Sequence, residues 1–106
     1  MHYLVSTRNK SRMSKRIDKS WTVFVSIENF EHDRCVDFFT RADGSLGFEE
    51  FRRDTEDAGQ WTPVHHYSGL TYASAADAID AAERTVPWLV AVFARKPELK
   101  KRVASG

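Results

Sequence analysis

Cysteine is almost absent from this chain. Cys35 stands alone, so no intrachain disulfide framework can form. A single thiol fits a reducing compartment, and a cytoplasmic setting is expected. Proline and glycine are sparse, at three and five residues in 106, which excludes collagen-like repeats and a low-complexity linker. No apolar run approaches the ~20 residues that a membrane-spanning helix needs, so no membrane partner is expected. The opening MHYLVSTRNKSRMSKR has too short an apolar run for a secretory signal. A glycine-rich phosphate loop, a nucleophile elbow and a metal-ligand spacing are missing too, so neither cofactor nor metal is expected.

What is present suits one globular domain: 42% of the residues are apolar and 29% are charged. The charges are segregated along the chain. Residues 1–20 carry Arg8, Lys10, Arg12, Lys15, Arg16 and Lys19 against Asp18 alone. Residues 28–60 carry ten acidic and four basic side chains, and the C-terminal stretch is basic again through Arg95, Lys96, Lys100, Lys101 and Arg102. Basic ends can hold nucleic acid or another anionic surface, or be solvated next to an acidic middle. Residues 1–18 read as a flexible basic arm, 19–94 as the domain, and 95–106 as a basic tail or short helix.

Residues 21–27, WTVFVSI, alternate as a half-buried strand does, with Trp21, Val23, Val25 and Ile27 on one face and Phe24 on the other. Residues 35–54, CVDFFTRADGSLGFEEFRRD, read as a hairpin turned by Asp43-Gly44. A two-residue turn there sets Phe39 opposite Phe48, Asp37 opposite Glu50 and Val36 opposite Phe51. A short fourth strand is expected near Trp61, demoted to an edge by Pro63. Ser74 with Asp77 marks a helix start. The apolar spacing of Ala78, Ile79, Ala82, Val86, Leu89 and Phe93 marks its core face. Pro87 should kink or divide this helix, and Pro97 can open a second short one. The expected fold class is α+β: an antiparallel sheet of three to four strands, in ββββα order, packed on one C-terminal helix.

Several constellations could carry chemistry. Asp43 to Glu50 imitates half of a calcium loop, but Phe39 and Arg41 would occupy early ligand positions, and neither coordinates a hard cation. Asp37 and Glu50 could share a proton as a catalytic pair, although Arg41 and Arg52 nearby suit a charge-compensated surface better. Cys35 with His32 is the thinnest nucleophile candidate. His65 and His66 are adjacent, so on a strand they point to opposite faces and are poorly placed to share a metal.

One helix covers one face of a sheet. Phe24, Phe39 and Phe48 are expected on the uncovered face, beside Arg41, Arg52 and Trp61, as a binding surface. The leading expectation is a small non-enzymatic interaction module acting as a homodimer or meeting another protein. The alternative is a single-stranded nucleic-acid binder, with Lys10, Arg12, Lys15, Arg16 and Lys19 on phosphates and Phe39 and Phe48 stacking on bases.

Phe48-Glu49-Glu50-Phe51-Arg52-Arg53-Asp54 followed by Trp61-Thr62-Pro63-Val64 resembles a family of small bacterial proteins. That family has a FEEFRRD…WTPV signature and closes with an alanine-rich helix ending in Trp-Leu. The resemblance implies bacterial origin and brings no activity with it. The element order alone also resembles PC4-like single-stranded nucleic-acid-binding domains, which dimerise. The acidic hairpin of Asp37, Asp43, Glu49, Glu50 and Asp54 departs from that pattern.

Overall fold

The computed structural model describes residues 18–54, 59–64 and 67–106. The class is α+β. Four strands form one antiparallel sheet in the order β1-β2-β3-β4, where β1 is Thr22–Glu28, β2 Arg34–Thr40, β3 Leu46–Arg53 and β4 Trp61–Pro63. A 3-10 turn at Tyr67–Gly69 leads to three helices rather than one: α1 Ala75–Thr85, α2 Pro87–Arg95 and α3 Pro97–Ser105.

The two prolines decide the helix count. Pro87 and Pro97 each sit at the first helical position, where a missing N–H costs nothing and φ is already helical. The residue before a proline is pushed out of the helical region. Val86 and Lys96 duly leave it, with ψ values of 87° and 72°. One helix with a kink therefore becomes two helices with a corner, and the basic C-terminus becomes a third that buries Leu99 and Val103. Ser74 caps α1 as read from the sequence, its side chain accepting from the Asp77 N–H at 3.1 Å.

The hairpin register differs from the sequence expectation by one residue. Arg41 N–H donates to the Ser45 carbonyl at 2.9 Å, and Gly44 N–H donates back to the Arg41 carbonyl at 2.9 Å. The loop is thus three residues, Ala42 to Gly44, with Gly44 at φ +88°. This is a type I turn closed by a left-handed glycine, not a two-residue turn with two positive φ values. The Asp43 carboxylate fixes it by accepting from the Ser45 N–H at 2.9 Å. Phe38 now faces Phe48, Asp37 faces Glu49, Val36 faces Glu50 and Cys35 faces Phe51.

A one-residue shift moves side chains to the other face. A bulge at Phe24 adds a second shift in β1: Val23 pairs with Phe39, but Val25 pairs with Phe38. Trp21 and Val23 therefore part company from Val25 and Ile27. The helix side of the sheet carries Val25, Ile27, Val36, Phe38, Leu46 and Phe48, packed on Ala78, Ala82, Val86, Leu89, Phe93 and Val103. The other side carries a smaller cluster of Cys35, Phe39, Phe51 and Trp61, joined by Trp21 and Val23.

α2 crosses the sheet at one end. Its Trp88 indole reaches Glu50 on β3, and its Arg95 guanidinium lies 4.9 Å over the Phe30 ring in the β1–β2 turn. That turn places His32 at φ +63°, while Arg53 donates to the His32 carbonyl.

Two substitutions test this geometry. A Cβ on Gly47 would lie 2.8 Å from the buried Phe39 ring and 2.9 Å from the Arg41 guanidinium, whereas one on Gly69 meets nothing within 4 Å. Gly47→Ala is expected to cost roughly 1–3 kcal/mol in chemical denaturation, and Gly69→Ala close to nothing. His32→Val, forcing a β-branched residue into the left-handed region, should cost about 1–2 kcal/mol, while His32→Asn should be tolerated.

Candidate functional site

The sheet register places Ser26, Asp37 and Glu49 in one row across three strands, on the side away from the helices. All three are buried, Asp37 completely. A buried carboxylate survives only when hydrogen bonds replace its water. Ser26 Oγ donates to Asp37 Oδ1, and the Cys35 thiol lies 4.0 Å from the same oxygen. Glu49 Oε1 accepts from the Ser68 N–H at 2.9 Å, and its Oε2 from the Glu50 N–H at 3.2 Å.

Glu50, the next residue along β3, points to the opposite side and meets the helices. Its Oε2 accepts from Trp88 Nε1 at 2.8 Å and lies 3.4 Å from Arg34 Nη1. The expected Asp37–Glu50 pair therefore does not form, because the two carboxylates lie on different faces. The carboxylate facing Asp37 is Glu49. Sequence reading missed Glu49 because it followed the wrong loop length. The signal was there in Gly44-Ser45, whose glycine suits the last position of a three-residue loop.

Arg41 holds the other end of the sheet together. Its guanidinium lies 4.5 Å over the Trp21 ring and 5.0 Å over Phe39, and those two rings stack at 4.8 Å. The same group donates to the carbonyls of Leu46 at 3.1 Å, Ser68 at 2.6 Å and Leu70 at 3.1 Å. A planar five-donor fork is the one side chain that can do all of this at once. Arg41 thus locks the hairpin to the 67–70 segment.

The expected aromatic binding face breaks up. Phe48 is buried on the helix side, tilted against Tyr67 at 5.2 Å and stacked with Tyr72 at 5.8 Å. Phe24 is half-buried on the same side, its ring against Gly106. Phe39 is buried on the other side. The bulge and the register shift explain the split. Trp61 is also buried; it closes the smaller cluster, with Arg53 lying 4.8 Å over its ring. Arg52 is exposed and meets Asp54 at 3.5 Å. Lys19 is exposed. Lys10, Arg12, Lys15, Arg16, His65 and His66 lie outside the described residues.

The thiol candidate does not assemble either. Cys35 is fully buried, while His32 is exposed and its Nδ1 engages Glu28 at 2.8 Å. Among the described residues, no group of three His, Cys, Asp or Glu side chains is placed to hold a metal ion.

What the helical layer offers is a surface. α1 carries Asp77, Asp80 and Glu83 against Arg84, and α3 carries Lys100, Lys101 and Arg102 against Glu98. Between them runs an open groove of about 520 Å³, with Ala76, Ile79, Pro97 and Ala104 along its floor. Lys100 Nζ bridges it to Glu83 Oε2 at 3.1 Å. α2 has no charged residue before Arg95, yet Pro87, Val90, Ala91 and Ala94 are all exposed.

Trp88→Phe removes the indole donor from buried Glu50 and should cost about 2 kcal/mol in denaturant unfolding. Glu50→Gln keeps an acceptor and should cost less. Burial, helped by the charges of Glu50 and Glu49, raises the Tyr67 phenol above its ordinary value. A raised phenol favours folding below the ordinary tyrosine pKa, and the contribution is lost as pH rises towards the folded value. Alkaline titration of tyrosinate absorbance should show a late-titrating component that Tyr67→Phe removes.

Comparison with protein-family models, with curated proteins and with solved structures gives no match to this chain.

Proposed function

We propose that this chain is a small bacterial, non-enzymatic interaction module that acts as a homodimer in the cytoplasm. The observation that carries this reading is the solvent side of the helical layer. Ala76 and Ala104 are exposed there, between α1 and α3, where a purely solvated layer would carry long polar side chains. Small outward residues let a second surface approach closely. The carboxylates that suggested acid–base chemistry are buried instead, and their hydrogen bonds join strands, loop and helix. That is a structural use of charge.

Single-stranded nucleic-acid binding is a second reading. It loses Phe39 and Phe48 as stacking groups, since both are buried. It keeps the exposed cations Lys100, Lys101 and Arg102 on α3. Protein–phosphate contacts release counterions, so such binding would weaken steeply with salt.

Sedimentation velocity of the full chain over a dilution series should give a dimer that dissociates to a folded monomer. A monomer at every concentration would remove the reading. Anisotropy of a labelled single-stranded oligonucleotide should show no salt-sensitive binding. Micromolar affinity that collapses with salt would promote the nucleic-acid reading.

A further inference from the structure

The helical layer is electrically two-sided. Its acidic helix, α1, presents Asp80 and Glu83 along one bank of the groove, and its basic helix, α3, presents Lys100 and Lys101 along the other. Inside one chain each of the two acidic-bank carboxylates already meets a cation. Glu83 meets Lys100, and Asp80 meets Arg84 on its own helix. Between the banks, Ala76 and Ala104 contribute no bulk.

A twofold rotation about an axis lying along the groove exchanges its banks. The acidic bank of one copy then faces the basic bank of the other, twice over. An isologous contact needs this kind of self-complementarity, whereas a surface of one sign would repel its own copy. Glu98 on α3 and Arg84 on α1 are the exceptions in each bank.

Resting on the homodimer reading, we infer that the occupant of the α1–α3 groove face is a second copy of this chain, with α1 of each copy set against α3 of the other. The exposed alanines allow the helices to close. The Lys100–Glu83 bridge becomes part of a four-helix charge network. Partner choice is then set by charge pattern as much as by apolar area, because the acidic–basic layout discriminates against surfaces of a single sign.

Charge exchange tests this. One full-length variant carries Asp80→Lys and Glu83→Lys; the other carries Lys100→Glu and Lys101→Glu. Each alone should dimerise at least about ten-fold more weakly than the native chain. An equimolar mixture should recover dimerisation as a heterodimer, read by sedimentation velocity with one variant labelled. Circular dichroism confirms that each is folded. Should a reversal unfold the chain, Asp80→Ala and Lys101→Ala replace it, each weakening the dimer and neither restored by mixing. Val90→Asp on α2 is the control and should leave the dimer intact. A native chain that is monomeric overturns both this inference and the homodimer reading. A native dimer that ignores the reversals, or that falls apart with Val90→Asp alone, overturns the inference and leaves the reading standing.

Discussion

Gly44, at φ +88°, closes the β2–β3 loop in three residues, and the β2–β3 pairing follows from that count. Arg41 then faces Ser45, and the pairing runs outward from there to Arg34 opposite Arg52. Side chains alternate across a strand, so the loop length also assigns each residue to a face. Phe38 and Phe48 go to the helices, Phe39 and Phe51 to the other side. Gly47 makes this register possible, since the Phe39 ring packs where a Cβ would stand.

Glu49 and Glu50 show what the register achieves. Adjacent on β3, they are buried on opposite faces. Glu49 takes the Ser68 N–H and so holds the segment after β4, while Glu50 takes the Trp88 indole and so holds the start of α2. Removing one partner of a buried charge costs far more than the pair contributes. The two carboxylates therefore act as fixed joints between layers. Arg41 plays the matching part at the far end of the sheet with its stacked rings and three carbonyls. Polar groups that resemble catalytic machinery in one dimension serve here as connections between elements.

With these carboxylates committed to the fold, the charge pattern of the outer surface is set by the helical layer. Pro87 and Pro97 cut one long amphipathic segment into three short helices. The cuts leave α1 acidic, α2 nearly uncharged and α3 basic. Unbroken, the same residues would have formed a single mixed stripe. The corners at Val86 and Lys96 instead bring the acidic and basic segments side by side.

Much of this was legible in the chain. The order of strands and helices, the Ser74 cap and the breaks at Pro87 and Pro97 all rest on local physics, because φ limits, capping and periodicity act within a few residues. The face that each aromatic occupies was not legible. It depended on a bulge at Phe24 and on one extra loop residue before Ser45, and a strand's alternation is unchanged when its register slips. The pairing of Asp37 with Glu49 rather than Glu50, the burial of Phe39 and Trp61, and the meeting of α1 with α3 were decided only in three dimensions. Each joins residues far apart in sequence, and only packing of both sheet faces tells the alternatives apart.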